Sequence, residues 1–558
     1  MAAVLTLDFE THDPNITLKK GAGWVYEDFE ILGAAYKLDN EESQFTTDMS
    51  KLAQIVATVE TIICHNSQYD IGCLHRLGID YKDKTIVDTM ILAKLYDNSM
   101  SSYSLDHLAH YCLGKRKDYE SLQRLAEAHS IQKYMSHMRE LFKASPEIVS
   151  SYAKLDVDLT YELSQYFKKN IYDQGLELVP IYSDLIKALV LSRSAGVRID
   201  MNQAERSDAA LDALYQKYLE EFYTYCPGVN IESTKQLAEA FMKLDIVPGV
   251  SAKGGFSVDA AWRATQDHPA IVALDNAKKY NKLRREFVEG LVTRVENGRL
   301  YPEMNIMGAA ETGRFSSSNP NIQQIPKRSE LAAELIRSLF IPEEGETWYS
   351  LDFSSQEPRF QVHYAYAAGC KGSEELRKSF VENPKHDLHQ QVADMAGIGR
   401  TQAKTINLGI SYGMGSEKLA KALKLSPEEA KALMNKYKKF APYLYQLNKA
   451  VQQAGVDRGY VKTILGRRLV MDYDKPYKAL NKLIQGSAAD QTTMAIVQAY
   501  REGIPILFSV HDELNISTSD PKKAHRLKEI METVLTLEVP CLSEMSAGSS
   551  WNTTSLSS

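Results

Sequence analysis

The 558-residue chain is short of several things, and each shortage argues against a class of protein. Its six cysteines (Cys64, Cys73, Cys112, Cys226, Cys370 and Cys541) are scattered and form no CxxC pair. That usage fits a reduced, cytoplasmic protein and argues against a disulfide scaffold or a zinc site. No stretch approaches the roughly 20 consecutive apolar residues that span a bilayer, so no membrane association is expected. The opening residues, MAAVLTLDFE, carry no basic segment and meet an acid almost at once, unlike a signal peptide. The chain also lacks the positive excess common in nucleic-acid binders, with a net charge of −7. That shortage excludes little, because a basic groove can sit on an acidic body that carries clustered metal-binding carboxylates.

Composition is otherwise ordinary, 44% hydrophobic and 25% charged. The length exceeds one hydrophobic core, so about two to four domains are expected. VLTLDFE and ILGAAYKL alternate as strands, and TIICHN runs as a short strand into the helix QYDIGCLHRLG. Ser145-Pro146-Glu147 opens a further helix with a serine cap and proline in its first turn. From about 178 to 300 the pattern is helical and charged, and it includes the basic run from Lys278 to Arg285. Strands return at TWYSLDF and ILFSVHDELNIS around a mostly helical block. The last Ser/Thr-rich residues are expected to form a loose tail. The layout is an α/β multidomain chain.

Two groups of acids stand out. On the strand through Leu7, side chains alternate, so Asp8 and Glu10 face the same way. Two adjacent like charges are costly unless a cation or a proton lies between them. Asp70 begins the helix after a neighbouring strand, and Tyr152 and Asp156 share a helix face. Four such acids can hold two divalent metals about 3.5–4 Å apart, one activating water and one stabilising the leaving oxygen. In the second group, Asp352 ends a strand and Asp512 sits at a hairpin turn, a pair suited to two magnesium ions and substrate phosphates. Between them Arg400, Lys404 and Leu408 fall within about 80° of one helix face. That face offers two cations to a triphosphate and an apolar surface to a sugar or base, and Tyr412 lies just beyond. Singly, each of these features is as readily a solvated surface group.

Their order is more specific. LDFET, HNSQYD, VDTM and YAKLD together resemble the exonuclease motifs of the DEDD superfamily, tyrosine subtype, over about residues 1–170. DFSSQEPR, RTQAKTINLGISYG and VHDE resemble motifs A, B and C of family A DNA polymerases, the group of bacterial DNA polymerase I. TGRFSSSNPNIQQIP, NIESTKQL and QGSAAD are similar to that family's minor-groove segment, thumb and palm helix. The resemblance implies an RNase H-like exonuclease domain (1–175) followed by a right-hand polymerase. Its parts would be a thumb (176–300), a first palm segment (301–365), fingers (366–484), and a second palm segment with the C-terminal tail (485–558). It implies metal binding by Asp352 and Asp512 with support from Glu513, and by Asp8, Glu10, Asp70 and Asp156 with Tyr152. It assigns the nucleotide to Arg400, Lys404, Leu408, Tyr412 and His389, and a steric gate against ribose to Glu357. It assigns DNA contacts to Arg314, Asn321, Gln323, Asn481, Gln485 and His511, with Lys282, Arg284 and Arg285 tracking phosphates.

Expected partners are primer-template DNA, dNTPs and magnesium, with a replisome helicase or single-strand binding protein possible and a monomer expected. The chain departs from the family pattern at Leu408, where many relatives carry an aromatic residue, and in shortened fingers. No 5′-nuclease domain is expected ahead of the exonuclease. This compact plan is most similar to bacteriophage replicative polymerases, which would work in the host cytoplasm. A bacterial repair polymerase and a single-subunit RNA polymerase remain alternatives, the latter opposed by Glu357. A non-catalytic nucleic-acid-binding module is opposed by the completeness of the acids.

Overall fold

A computed structural model describes residues 3–251, 254–327 and 329–556. At the N-terminal end, β1 (Val4–His12), β2 (Glu30–Leu38), β3 (Gln44–Thr46), β4 (Thr61–Cys64) and β5 (Thr85–Asp88) form a mixed sheet in the order β3-β2-β1-β4-β5. β1 is antiparallel to β2 and parallel to β4. Central strands carry apolar residues on both faces when both are covered, and Leu5, Leu7, Ala34, Ala35 and Ile62 are fully buried. The helix Pro146–Asn170 crosses this sheet, and its Ser145 side chain accepts from the Ile148 N–H as the sequence predicts. It buries Val149, Ala153, Val157, Leu163 and Phe167, along with the polar Tyr152 and Asp156.

One core runs from this sheet through Leu185, Ile186 and Leu189 of the helix Val179–Ala195 to Trp348, Leu351 and Ile516. The helix Val179–Ala195, within the stretch expected as thumb, thus packs into the core shared by the two sheets. The projecting element is an antiparallel pair, Met201–Tyr225 and Pro269–Arg284, with its own small core around Phe222, Phe241 and Leu274.

The second sheet orders Phe508–Val510, Glu513–Thr518, Thr347–Phe353, Ser543–Gly548 and Thr554–Ser555, all antiparallel. The expectation of a loose C-terminal tail is corrected here. Ser543–Gly548 pairs with the central strand, and Trp551 is fully buried against Trp348, Phe340 and Phe508. The Ser/Thr-rich composition hid one large indole, whose burial outweighs the polarity around it. A separate core joins Phe360 and Ala365 to Phe380, Val392, Ile406, Tyr437, Leu444 and Ile484, and forms the helical lobe above the sheet. The helix Ala479–Arg501 runs back beneath that lobe to the sheet.

Candidate active sites

β1 places Asp8 and Glu10 on one face, and Asp70 joins them because its Oδ1 accepts the Phe9 N–H at 3.1 Å. Asp88, in the VDTM motif, accepts from the N–H groups of Asn66, Ser67 and Met90. It thereby fixes the turn that launches the Asp70 helix, a supporting role rather than a place in the acid cluster. Burial, then the Asp156 charge, pushes Asp8 up to about 7 against the pull of Lys117. Burial pushes Asp156 up to about 6, with Lys117 and the Tyr152 hydroxyl pulling back. Glu10 and Asp70 are raised by burial and by their neighbours' charges. Burial also raises Tyr152, which stays a hydroxyl donor. Such mutual strain is relieved by a cation. The donors are all oxygen, the chemistry a hard divalent ion prefers, and Asp156 Oδ1 is buried without a hydrogen-bond partner among the described residues. Among the described residues, however, no three of these acids are drawn together as a metal-holding set, and Lys117 occupies Asp156 Oδ2.

In the second sheet Asp352 sits opposite Glu513 on one neighbour and Glu544 on the other. Val510 pairs with Glu513, which leaves His511 and Asp512 as a two-residue hairpin loop with His511 at φ +58°. The Asp512 carbonyl accepts the Phe353 N–H at 3.2 Å, so the two aspartates are neighbours. Burial and the Asp352 charge push Asp512 up to about 7. Burial raises Asp352 despite the opposing Lys327. Burial would also raise Glu513, but Lys327, Arg337 and Trp551 hold it below its ordinary value. Burial thus disfavours charge on both Asp352 and Asp512, Lys327 offsets it only in part, and a metal between them would offset the rest.

A cleft of about 590 Å³ lies over these acids. It is lined by Arg314, Asp352, Glu357, His511 and Asp512 together with His389, Arg400, Lys404, Leu408 and Tyr412. The helix Arg400–Ser411 brings its cations in on one face, as the spacing predicts. Arg400 is held by Asp387 at 2.6 Å, and His389 Nδ1 meets Asn407 Nδ2 at 2.7 Å. Arg314 pairs with Glu357. Beside the acids, a second recess is lined by Gln323, Lys327, Arg337 and Asp512. Asn321 caps the turn Ile322–Gln324, accepting from the Gln323 N–H. Asn481 and Gln485 lie one turn apart on the helix Ala479–Arg501, both half-buried.

The thumb cations are not brought to either cleft. Lys282 near the end of the helix Pro269–Arg284, beside Glu286 at 3.7 Å, and Arg285 just past that end are exposed. Arg284 is not the free cation the basic run suggested, since it is bound to Asp208 at 2.9 Å, Glu289 at 3.2 Å and Asp212 at 3.3 Å. Sequence reading also missed Lys117 at the first acid cluster, and Lys327, Arg337 and Trp551 at the second. Lys327 pairs with both Asp352 and Glu513. The only advance signal was local, a GKRKD loop and an IPK segment adjoining recognised motifs.

A sheet presenting paired aspartates beside a cationic helix, with a separate group of four buried acids, is the arrangement expected of a nucleotidyltransferase coupled to a nuclease. Comparison with known proteins agrees. The family model described as DNA polymerase family A matches residues 201–553, and that of the 3′–5′ exonuclease matches residues 2–172. The chain belongs to DNA polymerase family A, and is a DNA-directed DNA polymerase with a 3′–5′ exonuclease domain. It is 30% identical to the DNA-directed DNA polymerase of Pseudomonas phage M6, over 98% of this chain and 93% of that one. It is 28% identical to DNA polymerase DpoZ of Vibrio phage phiVC8, over 96% of each. DNA polymerase I of Treponema pallidum is 27% identical over 88% of this chain and 51% of its own. In fold the chain matches the POL domain of Pol1 from M. smegmatis, in complex with DNA primer-template and dNTP, with a TM-score of 0.79, 23% identity, and coverage of 99% and 96%.

Proposed function

We propose that this polymerase replicates phage DNA in the host cytoplasm, extending a primer in the large cleft and trimming mispaired 3′ ends at the four-acid site. What supports the assignment of roles is one juxtaposition: Arg400, Lys404 and Leu408 face Asp352 and Asp512 across a single cleft. Arg400 and Lys404 bind the phosphates of the incoming dNTP as charge-assisted donors. Leu408 and Tyr412 close over the sugar and base, and Glu357 fills the space a ribose 2′-hydroxyl would need. Magnesium held by Asp352 and Asp512, and by Asp8, Glu10, Asp70 and Asp156, would supply charge to the phosphoryl oxygens and acidify the attacking hydroxyl or water. In the nuclease site, the protonated Tyr152 hydroxyl orients the attacking water.

Arg314, Gln323, His511, Asn481 and Gln485 border the primer terminus on this reading, with Asn321 shaping the Gln323 turn. Lys282 and Arg285 on the projecting thumb meet backbone phosphates, so binding weakens as salt rises. The exonuclease occupies residues 1–175. Within 176–300 the thumb is the pair Met201–Tyr225 and Pro269–Arg284 rather than the core helix Val179–Ala195, and palm (301–365), fingers (366–484) and second palm segment (485–558) follow. The enzyme works as a monomer on primer-template DNA, alongside a helicase or single-strand binding protein. The test is dNTP dependence. Lys404→Ala removes a charge-assisted contact, which costs about 1.5–3 kcal/mol and raises the dNTP KM about 10- to 100-fold. Degradation of single strands stays unchanged. An unaltered KM contradicts the assignment.

A further inference from the structure

The loop Gly114–Asp118 presents three consecutive cations, and each has its own acid. Lys115 binds Glu162 at 2.6 Å, Arg116 binds Asp106 at 2.7 Å, and Lys117 binds Asp156 Oδ2 at 2.5 Å. The Lys117 backbone is fixed as well. Its N–H donates to Asp106 Oδ1 at 3.1 Å, and the next residue, Asp118, caps the helix Tyr119–Ala128 by accepting from Ser121. Glu162 and Asp156 lie on the same helix, so two of these ion pairs fasten the loop to the element that carries Tyr152.

Unlike its two neighbours, Lys117 is turned inward, with its side chain only 14% exposed. Its ammonium lies 4.8 Å from the Tyr152 ring centroid and 5.6 Å from that of Tyr119. A lysine is rarely buried without a partner. Here one carboxylate and two aromatic faces offset its lost hydration. Lys117 occupies Asp156 Oδ2, while the other oxygen, Oδ1, is buried and without a hydrogen-bond partner among the described residues.

We infer that Lys117 is a positioning residue of the exonuclease, holding Asp156 and the Tyr152 ring so that Asp156 Oδ1 and the Tyr152 hydroxyl face the reacting phosphate. The inference rests on the reading of the four acids as the nuclease site. Lys117 acts through its neighbours, as outer-shell partners do when they orient metal-binding carboxylates. Losing such a partner typically costs about 10- to 100-fold in metal affinity or activity.

The experiment uses the full-length enzyme with Lys117→Met, which keeps the side-chain length and removes the charge, and with Lys117→Arg. Three quantities are read: exonuclease kcat and KM on a single-stranded 3′ end, manganese binding by electron paramagnetic resonance in Asp352→Ala backgrounds, and primer extension in the polymerase-competent chains. In Lys117→Met, kcat is expected to fall about 10- to 100-fold with KM little changed, and manganese to bind the nuclease site more weakly. Lys117→Arg should recover much of the loss, and primer extension should match the parent. Unchanged kcat in Lys117→Met overturns the inference. So does tighter manganese binding, which would make Lys117 a competitor of the metal, and so does a parallel loss of extension, which would make it a structural strut. The paired variant Asp8→Ala with Glu10→Ala separates the two claims: if it retains exonuclease activity, the site reading has failed, whatever Lys117 does.

Discussion

Trp551 donates its indole N–H to Glu513 Oε1 at 2.6 Å, which ties the end of the chain to a carboxylate beside the polymerase centre. The same oxygen accepts from Asn515 Nδ2 at 3.1 Å, while Lys327 holds Oε2 at 2.9 Å. Above the indole, the Arg337 guanidinium lies 4.1 Å from the ring centroid. Glu513 is therefore a fixed neighbour of Asp352 rather than a mobile surface acid.

Trp551→Phe keeps the ring and removes the donor. Losing a hydrogen bond to a charged group costs about 1.5–3 kcal/mol, to be measured by denaturant unfolding, and primer extension should slow while exonuclease activity holds. Trp551→Ala also empties a core position, at about 3–5 kcal/mol. Extension by Trp551→Phe at the parental rate would show that Glu513 does not depend on this contact.

Gly313, in the TGR segment, has φ +79°, and a Cβ there would lie 1.8 Å from Arg467 Nη1. Arg467 cannot easily retreat. It is 2% exposed, binds Asp490 at 2.8 Å, and donates to the carbonyls of Thr312 and Gly486. Gly313→Ala should therefore cost as much as breaking a buried ion pair, about 3–5 kcal/mol. Gly345→Ala is the control, also at positive φ (+77°) but with nothing within 4 Å. It should cost only left-handed backbone strain, about 1–2 kcal/mol. Equal losses for the two would refute the packing argument.

Without divalent metal, stability should depend on pH through the raised acids. Asp8 and Asp512 stand at about 7 and Asp156 at about 6, above an ordinary value of 3.8. Between the ordinary and raised values the folded chain holds more protons than the unfolded one, so stability falls as pH rises. This contribution is fully present below about pH 3.8 and is lost as pH passes about 7. In chelator, the melting temperature should therefore decline from pH 5.5 to 8, and added magnesium should restore most at the alkaline end, where the acids are charged. A magnesium effect greatest at pH 5.5 would contradict this.

Glu357 sits in the first turn of the helix Gln356–Ala367, and Arg314 grips its carboxylate. Glu357→Ala opens the space beside the sugar, and ribonucleotide incorporation should rise by about 10- to 100-fold, the scale of a single steric contact. Incorporation is measured as the ratio of kcat/KM for rNTP and dNTP. No change in the ratio would remove Glu357 from sugar selection.

The site was legible in the sequence wherever chemistry coincided with a local period. Asp8 and Glu10 alternate on a strand, Arg400, Lys404 and Leu408 recur on a helix, and His511-Asp512 sits between two strand patterns. What escaped depends on contacts distant in sequence. Lys117 approaches Asp156 from a loop 39 positions earlier, and Trp551 reaches Glu513 from 38 positions later. Neither has a periodic signature. Arg284 shows the converse, because a basic run looks free until its facing helix supplies Asp208 and Asp212. The helix Val179–Ala195 carried a helical pattern, but its place in the shared core followed only from the fold.

The most direct test of two separate active sites in one chain is extension of a primer with a mismatched 3′ end, with and without dNTPs, in magnesium. The parent enzyme should remove the mismatch and extend. Asp352→Ala should degrade but not extend, and Asp8→Ala with Glu10→Ala should leave the mismatch in place while still extending matched primers. Loss of both activities in either variant, or mismatch removal by the Asp8/Glu10 double variant at the parental rate, would contradict the account.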